Sequence, residues 1–160
     1  MITLRPALIN EKEIVLSLYK SVIGLEGSVW DDEYPTMDEI NTDFDHNCLY
    51  VLEKDGTVIG AISPLYENIC DEFDCWQISD GTQREFARVV IGKDYQGHGY
   101  GALMTQMLLD IFKKDGCNSV HILVAECNIS AQKTYLKNGI EHRGNSEMFG
   151  HSYLLYEKIL

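Results

Sequence analysis

IGKDYQGHGYGALMTQMLLDIFKKDG, residues 91–116, runs from a glycine-rich turn straight into a stretch with helical periodicity. Gly97, Gly99 and Gly101 stand at alternate positions where that helix begins. With no side chains there, backbone N–H groups at the positive end of a helix can close around an anion, and pyrophosphate is the fitting guest. A dinucleotide, a nucleoside triphosphate or coenzyme A would each present such a group. Gly97-His98-Gly99-Tyr100-Gly101-Ala102 satisfies the G-x-G-x-x-A dinucleotide fingerprint, which keeps a nucleotide-binding module among the readings. Against it, the turn lies past the midpoint of the chain and leaves too little sequence for the usual succession of βα units. No Gly-Lys-Ser/Thr follows, which disfavours a triphosphate loop. A plain strand-to-helix corner needs one glycine, whereas three at alternate positions ask for a ligand.

Working outward, Leu103, Met104, Met107, Leu108 and Ile111 form one helical face, and Lys113, Lys114 and Gly116 make a helix end. EFARVVI, residues 85–91, alternates as a strand before the turn, with Glu85, Ala87, Val89 and Ile91 on one face. SVHILVAE, residues 119–126, is strand-like after the helix. Joined by a helix, these two strands are expected to lie parallel with a right-handed crossover. Upstream, CLYVLEKDGTVIGAIS (48–63) places two β-rich runs around Lys54-Asp55-Gly56, the signature of an antiparallel hairpin. TLRPA (3–7) reads as a short opening strand. Asn10 with Glu13 marks a first helix start, and Ile14, Val15, Leu18, Tyr19 and Val22 then recur at helical spacing up to Gly24. Thr36 with Glu39 marks a second start. Residues 67–84 keep no period and read as a long loop of the kind that often serves function. Ser130 to Lys137 suits a short helix ending near Gly139, and SYLLYEKI (152–159) a final strand. The class is α/β in the α+β sense: one domain over 1–160, built on a mixed sheet flanked by helices.

The bulk properties agree with one enzyme-sized domain. A chain of 160 residues, 45% apolar, can bury its own core without a staple. The N-terminus has no uninterrupted apolar stretch, and no later run approaches the roughly 20 apolar residues of a spanning helix, so a cytoplasmic protein is expected. Five cysteines are an odd number with no C-x-x-C pair, and the five histidines form no pair at ligand spacing; reduced thiols and no metal are the expectation. A formal net charge of -12 repels nucleic-acid phosphates and anionic membranes and draws in a cationic partner, such as an amine substrate.

Gln96-Gly97-His98-Gly99-Tyr100-Gly101-Ala102 matches Q/R-x-x-G-x-G/A at every defined position, and a second block agrees: Ile122, Val124, Asn128, Ala131 and Tyr135 ahead of Gly139-Ile140. In these two blocks the chain resembles the GNAT superfamily of N-acetyltransferases, the firm likeness covering residues 85–140. One departure is Gly92-Lys93, where many members carry a proline. The resemblance implies a mostly antiparallel sheet whose central parallel pair splays apart to admit acetyl-CoA as cosubstrate. It also implies that backbone N–H groups of Gln96, Gly97, His98, Gly99, Tyr100, Gly101 and Ala102 hold the pyrophosphate. Val89, Val90 and Ile91 would pair with the pantetheine amides as a further strand does, and Asn128 and Ala131 would meet the coenzyme, Asn128 also capping the short helix.

Two side chains are the catalytic candidates. Tyr135, at its place in the resembled pattern, would be the general acid beside the departing sulfur. With a phenol near pKa 10 and a thiol near 8.5, full proton transfer is uphill by about 2 kcal/mol, so a strong hydrogen bond is the expected contribution. Glu85 would be the base: an ammonium near pKa 10.4 must lose a proton before attack, at about 4.6 kcal/mol at pH 7, and a carboxylate acting directly or through water helps. The alternative for Glu85 is a solvated strand edge. Arg88 points the other way and reads as structural, and His98 as an exposed neighbour of phosphate. Asp31-Asp32-Glu33 and Asp71-Glu72 to Asp74 border the acceptor side by resemblance, either as solvated surface or as a collar for a polycation. Trp30 and Trp76 beside them can cover an amine through cation–π contact or fill core. The expected activity is acetyl transfer to a primary amine of a small molecule or peptide, by a monomer or homodimer. An idle acyl-coenzyme A sensor and a dinucleotide-binding module are the alternatives.

Overall fold

The two β-rich runs at 48–63 fold as expected because Asp55 (φ 49°) and Gly56 (φ 84°) both take the left-handed conformation that a two-residue hairpin turn requires. In the computed structural model, which describes residues 1–160, they become β2 (Tyr50–Lys54) and β3 (Thr57–Pro64). β1 (Ile2–Pro6) adds antiparallel to β2, and β4 (Arg84–Ile91) antiparallel to β3. β5 (Ser119–Ala125) lies parallel to β4 and antiparallel to β7 (His151–Ile159), with β6 (Glu141–Met148) at the far edge. The result is one seven-stranded sheet of order β1-β2-β3-β4-β5-β7-β6.

Helices cover both faces. α1 (Lys12–Ser21) and α2 (Met37–Asp45) send Val15, Tyr19 and Ile40 onto one face, against Val51, Ala61 and Val90. α3 (Tyr100–Lys114) and α4 (Ile129–Lys137) send Met104, Leu108, Phe112 and Tyr135 onto the other, against Leu52, Ile62, Phe86 and Ile122. The Thr36–Glu39 start is present as read: the Thr36 hydroxyl accepts from the Asp38 N–H at 3.2 Å, and Glu39 accepts from the Thr36 N–H at 2.7 Å. The Asn10–Glu13 start is not. Glu11 instead accepts from the Leu8 N–H at 2.7 Å and is gripped by both terminal nitrogens of Arg5, so a tight turn at Ile9–Glu11 leads into α1.

Two features were not expected. β6 reads EHRGNSEM, too polar and too irregular to announce a strand; it becomes one because β7 offers a long pairing edge, from Glu141↔Glu157 to Met148↔His151. The second is a break in β4. Arg88 sits at φ 49°, and the β3–β4 register shifts between Ala61 and Ser63. That bulge overturns the simple alternation of 85–91. Phe86, Val89 and Ile91 pack toward α3 and α4, while Val90 belongs to the α1–α2 side, as does Glu85, the neighbour of Phe86.

Residues 65–83 cross the β4–β5–β7 face as the expected loop, with one turn of tight helix at Ile69–Glu72. Two buried carboxylates pin it. Glu157 accepts from the Gln77 and Ile78 N–H groups, the Ser119 hydroxyl, His121 Nε2 and Arg143 Nε, all at 3.0–3.1 Å. Burial alone would raise the Glu157 pKa, but those donors outweigh it and hold the carboxyl below its ordinary value. Glu85 accepts from the Cys70 N–H with both oxygens, at 3.0 and 3.1 Å. Trp76 lies flat on His121 with centroids 4.0 Å apart and donates its indole N–H to the Cys70 carbonyl. It therefore holds the loop down and does not cover an amine.

Candidate active site

β4 and β5 are hydrogen-bonded at Arg84↔Val120 and Glu85↔His121 and then diverge. β4 stays paired to β3 as far as Gly60↔Ile91, so beyond Glu85 only its β5-facing edge is released. Into this gap opens a cavity of about 930 Å³ that passes through the sheet, from the N-terminus of α3 to the face of α1 and α2. Its position at a divergence of parallel strands is where ligands of such sheets settle.

At the α3 end the glycine turn is built as a cradle. Gly97 (φ 79°) and Gly99 (φ 80°) need the left-handed region and so have a backbone reason to be glycine. Gly101 does not: it is helical, and an added Cβ would meet nothing nearer than 3.8 Å, at Ile91 Cγ1. The space beside it belongs to the cavity that it lines. The first helical bond runs from the Leu103 N–H to the Gly99 carbonyl at 3.1 Å, which leaves the N–H groups of Tyr100, Gly101 and Ala102 without an intrahelical acceptor. The Gln96 side chain donates to the Ile91 carbonyl at 3.1 Å and ties the turn to the end of β4. His98 is exposed, its ring stacked near Tyr100 and its Nδ1 3.2 Å from the Tyr95 carbonyl. Of the expected coenzyme-binding residues, all but His98 line the cavity.

Asn128 caps α4, its Oδ1 accepting from the Ala131 N–H at 3.0 Å. That cap aims the first turn of α4 at the gap and brings Tyr135, one helical face further on, against Phe86 at a ring distance of 5.9 Å. Tyr135 is 6% exposed and lines the cavity. Burial pushes its phenol above the ordinary value, so it holds its proton throughout the neutral range.

Glu85 lines the cavity on the opposite face of the sheet and is 1% exposed. The solvated-edge reading fails, because loop 65–83 closes over the carboxylate. Burial raises its pKa against the lowering pull of the Cys70 N–H, which makes it a stronger base than an ordinary glutamate. Trp30 lines the same end of the cavity and packs edge-on against Tyr19 at 5.2 Å. Of the acidic clusters, Asp31 reaches the cavity wall, while Asp32, Glu33, Asp71 and Glu72 are exposed and outside it.

Residues that the sequence left unassigned complete the cavity wall away from the glycine turn. Phe149, His151 and Tyr153 come from the β6–β7 hairpin, of which only the second strand was expected, and Tyr34 from the segment before α2. Arg88, read as structural, is paired with Asp43 and also lines the cavity.

The sheet order is not that of a doubly wound dinucleotide domain, in which parallel strands predominate. No helix is long and apolar enough to cross a membrane. Comparison with curated protein sequences finds no match. Solved structures do match over nearly the whole chain. A GNAT-family acetyltransferase from Streptococcus agalactiae 2603 superposes with a TM-score of 0.86 at 23% identity, over 99% of this chain and 95% of that one. An N-acetyltransferase from Staphylococcus aureus Mu50 gives 0.75 at 19%, over 99% and 98%. The yncA protein of Salmonella typhimurium, solved with its cofactor acetyl-CoA, gives 0.75 at 17%, over 100% and 94%. At such identities the likeness speaks for the fold; the pattern of the acetyltransferase (GNAT) family itself matches residues 15–140. The chain belongs to the acetyltransferase (GNAT) family.

Proposed function

We propose that the protein moves acetyl from acetyl-CoA to a primary amine of a small molecule or peptide, by direct attack within a ternary complex. The observation that carries this reading is the single cavity running through the sheet where β4 and β5 part, with the glycine cradle at one end and a buried carboxylate at the other. The cradle N–H groups at the head of α3 neutralise pyrophosphate, and the released edge of β4 at Val89 to Ile91 offers amide partners to pantetheine. The thioester then lies in the gap, between Tyr135 on one face and Glu85 on the other.

The chemistry follows from that placement. The acceptor arrives as an ammonium, favoured by Glu26, Asp31 and Glu85 along its end of the cavity. Glu85 takes its proton, directly or through a water, and the amine nitrogen forms a bond to the thioester carbonyl carbon. The tetrahedral adduct collapses with cleavage of the C–S bond, the sulfur leaves as thiolate toward the Tyr135 hydroxyl, and the second proton of the former ammonium passes from the adduct nitrogen to that thiolate through water, giving amide and free thiol. Burial raises the phenol pKa, and it raises a thiol in the same surroundings too, so Tyr135 works chiefly as a hydrogen-bond donor to developing thiolate.

The test has two parts. Calorimetry with acetyl-CoA and with NAD should show binding of the first alone. Release of free coenzyme thiol, measured over polyamines, aminoglycosides, amino acids and peptide N-termini, should be amine-dependent. Binding of acetyl-CoA with no release for any amine would leave an acyl-coenzyme A sensor; binding of NAD instead would reject the reading altogether.

A further inference from the structure

The bulge in β4 accounts for a left-handed backbone at position 88 but not for an arginine there. At φ 49° glycine or asparagine is the residue of least strain, and a long side chain is a costly occupant. The arginine is nevertheless held with care. Its Nε and Nη2 donate to the two oxygens of Asp43 at 2.8 and 2.6 Å, Asp43 is itself held by the Ser63 hydroxyl at 2.7 Å, and Nη1 donates to the Tyr34 hydroxyl at 3.2 Å. The Asp43 side chain is 1% exposed and that of Arg88 is 13% exposed. A buried ion pair of this kind is no more stabilising than apolar residues of the same volume. Stability therefore explains neither the charge nor the strained backbone.

Guanidinium has five N–H donors, and Arg88 spends three on Asp43 and Tyr34. Asp43 occupies the side edge, formed by Nε and Nη2. One N–H on Nη1 and one on Nη2 remain, and a pair of guanidinium donors suits a carboxylate. Arg88 lines the acceptor end of the cavity, beside Tyr34 and Trp30 and on the sheet face that carries Glu85. The cavity thus offers a fixed fork of donors three residues along β4 from the buried carboxylate proposed to receive a proton.

We propose that Arg88 is the anchor for an acidic group on the acceptor, and that the acceptor is an amino acid or a similar amine bearing a carboxylate. This rests on the acetyl-transfer reading. The carboxylate docks on the remaining donors of the guanidinium, and the ammonium is turned toward Glu85 and the thioester. Asp43 and Ser63 are positioning residues, holding the fork in one orientation.

The experiment compares amino acids spanning small, acidic, basic and aromatic side chains with their carboxamides and with the matching decarboxylated amines. Two readouts are taken: kcat/KM for thiol release, and calorimetric affinity of the N-acetylated acids and their carboxamides for the protein saturated with coenzyme A. At least one acid should exceed its carboxamide by about tenfold or more in both, the range of a charged hydrogen bond. Because Arg88→Gln alone would strand the buried Asp43, the decisive variant is Asp43→Asn with Arg88→Gln. Its acid-to-carboxamide ratio should fall toward one, and Arg88→Lys, which keeps charge but loses the fork, should fall between. Polyamines or carboxamides preferred by the wild type, or a ratio unmoved in the double variant, would overturn the anchor. An acid preference in binding without thiol release for any amine would keep the anchor and reject acetyl transfer.

Discussion

In the proposed reaction Tyr135 and Glu85 divide the chemistry between the two faces of the sheet, and each role can be tested by removing one atom's function. Tyr135→Phe keeps the packing against Phe86 and takes away the hydroxyl. Turnover should drop about 100-fold, in the range of a lost transition-state donor, with the affinity for acetyl-CoA little changed. Equal turnover would dismiss the hydroxyl from the reaction. For Glu85 the useful variable is pH. Its carboxyl is raised by burial, so wild-type activity should fall as pH drops through that raised value, where the base becomes protonated. Glu85→Gln should lose most at neutral pH, where the acceptor is largely ammonium, and progressively less as pH climbs toward the amine pKa. Turnover of both proteins against pH with one saturating amine reads this out. A constant ratio at every pH would assign Glu85 to holding the Cys70 N–H, and so to positioning loop 65–83.

At the scale of elements, the site is made of ends and breaks in regular structure. The α3 N-terminus supplies free N–H groups, the β4 bulge redirects the strand, and loop 65–83 is strapped down by Glu157 and Glu85. Gly101 isolates the first of these. Because its φ is helical and a Cβ fits without a clash, Gly101→Asp should fold with a stability cost of about 1 kcal/mol or less. The new carboxylate enters the space of the phosphates, so calorimetric affinity for acetyl-CoA should fall at least about 100-fold, a few kcal/mol of like-charge contact and lost space. Gly99→Asp confounds the two effects, since φ 80° strains any side chain. A folded Gly101→Asp protein that binds acetyl-CoA normally would mean that the turn does not hold the phosphates.

Across the whole molecule, the sheet is two half-sheets joined by two residue pairs of β4 and β5, and a ligand in the gap would contact both halves. Acetyl-CoA that binds only the folded protein must therefore raise its stability by mass action, about 2.7 kcal/mol at 100 times Kd. For a chain of this size that corresponds to a rise of roughly 5–10 °C in Tm. Thermal melts with increasing acetyl-CoA should show it, and Gly101→Asp should abolish it. A melt unmoved by saturating acetyl-CoA would contradict binding in the gap. The charge of -12 acts at the same scale and favours the approach of a cation, while the single guanidinium lining the cavity is the proposed anchor for a carboxylate on the acceptor.

What the sequence determined by itself was whatever is decided within a few residues along the chain. The hairpin follows from Asp55-Gly56, the second helix from Thr36 and Glu39, the α4 cap from Asn128, and the tight turn into α3 from Gly97 and Gly99. In each case the governing hydrogen bond or dihedral lies inside the segment that encodes it. The tertiary structure alone decided the rest. The bulge at Arg88 flips the faces of β4, and nothing in EFARVVI announces it, because it arises from the register against β3. β6 is a strand because β7 lies beside it. Glu85 is buried by the loop ahead of its own strand, which folds back over it only because Glu157 and Trp76 hold that loop on the sheet, and Trp76, aromatic and flanked by acids like Trp30, closes on His121 instead of the cavity. Burial, pKa and orientation at the site are set by contacts between distant segments, and their energies exist only once the sheet has brought those segments together.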